Sequence, residues 1–79
     1  LSAEQSHRDG QNNLGAMYSK GEGVEQNFVE ALKWFVISAD NGSEGGRKNI
    51  DIVEKRMTSV QITQAKKLAR DWIKQHPKK

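Results

Sequence analysis

The sequence predicts an all-α fold, about four helices in antiparallel pairs stacked as a fragment of an α-solenoid. Three observations carry this. Apolar residues recur at helical spacing in several stretches. No run alternates apolar and polar residues as a half-buried strand would. The chain also matches itself at an offset of 36 residues, which places Leu1, Ser2, Ala3, Glu4 and Gln5 on Ile37, Ser38, Ala39, Asp40 and Asn41. In the same register Gly10, Asn13, Leu14 and Met17 fall on Gly46, Asn49, Ile50 and Val53. A self-match at a period of about 20–50 residues marks stacked supersecondary units that bury their apolar faces on one another.

Each element has its own signals. Leu14, Met17, Tyr18 and Gly21 stand at i, i+3, i+4 and i+7 and define one face of the first helix. Gly21 and Gly23 end it, because glycine accepts the left-handed backbone that closes a helix. Asn27 with Glu30 starts the second helix in the manner of a capping box. Phe28, Ala31, Leu32, Phe35 and Ala39 form its buried stripe, and Asn41-Gly42 stops it. Ser43 caps a third helix carrying Ile50, Val53 and Met57. Thr58 with Gln61 repeats the capping-box pattern before a fourth helix that reaches Gln75, and Pro77 and two lysines form a tail. Ile62, Ala65, Leu68, Ala69, Trp72 and Ile73 share one arc of the fourth helix, with Lys66, Lys67, Arg70 and Lys74 opposite.

Composition bounds the rest. Seventy-nine residues make one small domain, whose core supplies only about 3–5 kcal/mol without staples. Cysteine is absent, so neither a disulfide framework nor a thiolate zinc site is available. Apolar content of 34% is lean, but a net charge of +3, a single proline and the helical rhythm argue for a folded chain. No stretch approaches the roughly 18 apolar residues that span a bilayer. The first residues lack the basic start and apolar run of a signal peptide. The chain does not begin with methionine and reads as an excised or processed segment.

The run Leu14-Gly15-Ala16-Met17-Tyr18, the turn Gly21-Glu22-Gly23-Val24 and the stretch Ala31-Leu32-Lys33-Trp34-Phe35 with Ala39 resemble the Sel-one-like repeat (SLR), kin to the tetratricopeptide repeats. The resemblance implies a right-handed solenoid. It implies a full copy over 7–42 and a degenerate C-terminal copy over 43–76, with Leu1–Ser6 as the tail of a preceding copy and 77–79 as a tail. The whole of 1–79 is then one domain. Gly10, Gly46 and Ser38 stand where the family usually has alanine. Glycine within a helix costs about 0.5–1 kcal/mol relative to alanine, so the start of the third helix, at Gly45-Gly46, is expected to fray. Gly15, Ala31, Ala39, Ala65 and Ala69 are expected at close helix approaches, with Tyr18, Trp34, Phe35 and Trp72 filling the gaps. Each pair should bury one face on its partner and another on the next pair.

The residues that carry chemistry elsewhere point to little here. Gly21-Glu22-Gly23 lacks the lysine-serine/threonine ending of a phosphate loop and follows no strand. His7, expected in an inter-repeat turn, and His76, expected in the tail, have no second ligand at i+3 or i+4. Asp51 and Glu54 could be imagined as paired carboxylates, but with Lys55 and Arg56 beside them they read as a solvated face. No nucleophile–histidine–acid set can be assembled, so neither catalysis nor a cofactor is expected. The basic side of the fourth helix reads as a solvated outer face, with an anionic partner as the alternative. Trp34 lies about 100° from the Ala31–Phe35 line. It is expected to pack between pairs, with a partner anchor as the alternative.

The preferred functional expectation is a protein–protein interaction scaffold. By the resemblance, the first helix of each pair lines the binding surface, which places Asn12, Ser19, Lys48 and Lys55 there. The alternative is a structural cap of a longer array whose binding surface lies upstream. A protein or peptide partner is expected, nucleic acid and membrane are not, and the module is expected to be a monomer. Family members occur in bacterial as well as eukaryotic settings, and the compartment is open.

Overall fold

Among the described residues, four α-helices succeed one another: α1 (Ala3–Lys20), α2 (Phe28–Asp40), α3 (Glu44–Glu54) and α4 (Ser59–Gln75). The computed structural model describes residues 3–77, with side chains described from Asp9 onward. Among the described residues there is no strand. Ala3–Ser6, expected as the tail of a preceding copy, are continuous with α1, and His7 lies inside that helix rather than in a turn. No glycine or proline between Ala3 and His7 breaks the helix there. Leu1 and Ser2 lie outside the described residues.

The turns follow from the need to satisfy backbone groups at helix ends. At the end of α1, Gly21 (φ +74°) and Gly23 (φ +75°) reverse the chain. Gly21 and Glu22 N–H both donate to Met17 O. Asn27 N–H donates to Tyr18 O, and Gln26 Nε2 to Ser19 O, so three consecutive carbonyls are occupied by the turn. Asn27 also caps α2, its Oδ1 accepting from Glu30 N–H. Only this half of the expected capping box forms, because Tyr18 O already holds the Asn27 N–H and Glu30 turns to Lys33, 3.6 Å away.

The α2–α3 turn is tighter. Gly42 (φ +97°) donates to Ala39 O and Ser43 N–H to Ser38 O, the two bonds of a Schellman ending. The same Ser43 then caps α3, its Oγ accepting from Gly46 N–H at 3.0 Å. One residue thus ends one helix and starts the next. At α4 the capping box is complete: Thr58 Oγ1 accepts from Gln61 N–H, and Gln61 Oε1 accepts from Thr58 N–H.

The helix α2 is the hub. It packs closely on α1, α3 and α4, α1 also touches α3, and α3 and α4 are not in comparable backbone contact. The expectation that the second pair closes on itself is therefore corrected: α3 and α4 meet mainly by way of α2. Accordingly Ala31, Leu32, Phe35, Ile37 and Ser38 are all buried on this one element. The core joins Ala31, Leu32 and Phe35 to Val53 of α3 and Ala65 of α4, with Phe28, Ile50, Met57 and Ile62 packed around them. Two expected core positions sit at the margin, Met17 and Leu68, each 38% exposed. Among the described side chains of α1, Gln11 and Gly15 are buried, and Leu14 and Tyr18 are half-buried.

Small residues set the approach distances. A methyl group on Gly15 would stand 2.7 Å from the Phe35 ring, so α1 and α2 meet where a side chain is missing. Gly46 plays that part for α3: a methyl there would overlap Ser38 Oγ and lie 3.0 Å from Phe35 O and 3.1 Å from Ala39 N. Two of the three departures from alanine, Gly46 and Ser38, face each other. Gly46 is buried and its N–H is held by the Ser43 cap, and both features oppose the fraying expected from helix propensity.

Candidate protein-binding face

The helices α1 and α3 touch, far less extensively than either packs on α2. An amide bridge joins them: Asn49 Nδ2 donates to Asn12 Oδ1 at 3.0 Å. Asn12 also lies against Gly45, where a methyl would come within 3.1 Å of Asn12 Nδ2. Asn12 is therefore half-buried and engaged within the protein. Ser19 is half-buried as well, its hydroxyl donating to Ala16 O one turn back. Lys48 and Lys55 are exposed. The four residues thus divide into two that join or stabilise helices and two whose charges face solvent.

Three polar residues of the α1 contacts escaped the sequence reading. Asn49, the partner of Asn12, is one. The others are Gln11 and Asn41, whose side chains meet at 2.8 Å between the middle of α1 and the end of α2. Gln11 is 6% exposed, and its Nε2 has no hydrogen-bond partner. Nothing in an isolated Gln or Asn marks it as a bridge. The available signal was the placing of Gln11 and Asn12 four and three residues before Gly15 on α1. Ile52 on α3 is 60% exposed and adds an apolar element next to the two lysines.

A second cluster forms where α2 meets α4. Trp34 and Trp72 pack edge to face with centroids 5.6 Å apart, and the His76 ring stacks on Trp72 at 4.0 Å. Trp34 therefore packs between pairs, as its angular position suggested, and Lys33 Nζ lies 4.8 Å from its ring centre. His76 caps α4 rather than lying in a tail, its Nδ1 2.9 Å from Trp72 O. Arg56 lies over the Phe28 ring at 5.2 Å. Asp51 is exposed, whereas Glu54 is half-buried and pairs with Lys66 of α4 at 3.2 Å. That ion pair links the two helices that make little other contact. Among the described residues, no three histidine, aspartate or glutamate side chains are grouped to hold a metal ion.

The residues at the α1–α2 approach, Gly15 against Ala31 and Phe35, fall inside a stretch of 8–43 that matches the family model described as the Sel1 repeat. Residues 8–43 match a Sel1 repeat. Sel1 repeats are generally protein-interaction modules without catalytic function. The matched Sel1 segment begins within α1 and ends at Ser43, the residue shared by the α2 ending and the α3 cap. No match was found among curated proteins or among solved structures.

Proposed function

We propose that this chain is a non-enzymatic protein–protein interaction scaffold that offers its α1/α3 face to a protein or peptide. The observation that carries the reading is the pairing of α1 and α3 through Asn12 and Asn49, with Lys48 and Lys55 left exposed. In this reading the Asn12–Asn49 bridge helps to set the spacing of the two helices before a partner binds. Lys48 and Lys55 supply charge, and Asn12 and Ser19 line the face. In this reading 43–76 forms the degenerate second copy within a single domain. The test is the double variant Lys48→Glu with Lys55→Glu, compared with the parent by affinity capture and quantitative mass spectrometry. Loss of specific partners is expected, with stability within about 0.5 kcal/mol, as for exposed substitutions generally. Identical captured sets would refute the assignment.

One observation favours a capping role for α4 as well. Ala69-Arg70-Asp71-Trp72 repeats the spacing of Ala31-Leu32-Lys33-Trp34, and in that register Phe28, Leu32 and Val36 of α2 become Lys66, Arg70 and Lys74. A polar outer face is what a terminal unit of a stacked array needs for solubility. Restoring the apolar pattern (Lys66→Phe, Arg70→Leu, Lys74→Val) should produce concentration-dependent association in sedimentation experiments. A variant that stays monomeric would argue against the capping role.

A further inference from the structure

Charge is unevenly placed along the chain: residues 66–79 hold six of the 13 lysines and arginines and one of the ten acidic residues. On α4, Lys66, Lys67, Arg70 and Lys74 are all exposed. They stand three and four residues apart and so share one side of the helix. Lys66 reaches Glu54, but among the described residues Lys67, Arg70 and Lys74 form no ion pair, and Asp71 forms none with them. Like charges at these spacings oppose helix formation, so the arrangement works against the stability of the element that carries it.

We propose that this side of α4 docks an acidic segment of a partner protein, a surface separate from the α1/α3 face. The structure removes the usual means by which a basic helix serves other anions. The apolar side of α4 is largely committed to the fold, since Ala65 and Ala69 are fully buried and Trp72 packs on Trp34, with Leu68 at the margin. It cannot enter a lipid interface as a free amphipathic helix does. The one aromatic ring of α4 is engaged within the protein, stacked by His76 and in edge contact with Trp34, and no other aromatic is interleaved among the four cations for bases to stack on. What remains is a row of cations whose neighbours are about 5–6 Å apart. Carboxylates one turn apart on a helix, about 5.4 Å along its axis, match that interval.

The test uses the whole chain and a fluorescein-labelled peptide with glutamate at every fourth position, followed by anisotropy at physiological salt. Its glutamine counterpart, an oligothymidylate and phosphatidylserine-containing vesicles serve as competing probes. The glutamate peptide should bind and the glutamine peptide should not. Arg70→Glu with Lys74→Glu should weaken binding by about tenfold or more, as expected when like charges face each other across an interface. Arg70→Glu alone should leave the melting temperature equal to or above that of the parent, because it relieves repulsion and places glutamate four residues before Lys74. Lys48→Glu with Lys55→Glu should leave peptide binding intact, which separates this surface from the α1/α3 face. No binding of the glutamate peptide, equal binding by the α4 double variant, or preference for the oligonucleotide or the vesicles would each overturn the proposal.

Discussion

Gly46 and Gly10 hold the same place in the 36-residue register, yet their surroundings call for opposite outcomes from the same substitution. A methyl at Gly46 has no room between Ser38 Oγ and the α2 backbone. Gly46→Ala should therefore destabilise the domain by about 1–3 kcal/mol despite the better helix propensity of alanine. Gly10 is exposed, and a methyl there meets nothing within 4 Å. Gly10→Ala should stabilise by about 0.5–1 kcal/mol. Thermal melts of the two variants check both signs, and a rise in melting temperature for Gly46→Ala would show that α3 does not approach α2 as closely as described.

For the elements, Ser43 governs more than its size suggests. Its N–H closes α2, its Oγ opens α3, and it is 8% exposed. Ser43→Ala should cost about 1–2 kcal/mol, the upper part of the range for a lost N-cap. The complete capping box at Thr58 stands on an exposed turn, and Thr58→Ala should cost about 0.5–1 kcal/mol. Hydrogen exchange offers a sharper reading than melting. The Gly46 amide should be protected in the parent and should lose most of that protection in Ser43→Ala. Fast exchange at Gly46 in the parent would restore the view that two adjacent glycines fray this helix.

Over the whole molecule, stability depends on α2. With α1, α3 and α4 all packed on it, α2 cannot loosen without exposing the core, so the chain should unfold as one cooperative unit rather than pair by pair. Leu32 is fully buried at the centre. Leu32→Ala should cost about 2–5 kcal/mol, comparable to the roughly 3–5 kcal/mol available to a domain of this size, and should leave the chain largely unfolded by far-ultraviolet circular dichroism. Trp72 is only half-buried. Its replacement by alanine should therefore cost roughly 2 kcal/mol, below the 3–5 kcal/mol of a fully buried aromatic, and should release Trp34 to give a measurable change in near-ultraviolet circular dichroism.

The amino-acid order alone determined the four helices, their caps at Asn27, Ser43 and Thr58, the glycine turns and most of the α2 core. These depend on interactions within a few residues along the chain: periodicity, side-chain caps and the left-handed tolerance of glycine. It also placed Gly15 at a helix contact. Only tertiary structure decided that Gly46 fits against Ser38, that Asn12 is tied to Asn49 and Gln11 to Asn41, and that α3 and α4 are joined through α2 and the Glu54–Lys66 pair. Those features arise between residues far apart in sequence, where a glycine, an amide or a lysine looks the same on a contact surface as in solvent. Which of them it becomes depends on what the neighbouring helix brings to within a few ångströms.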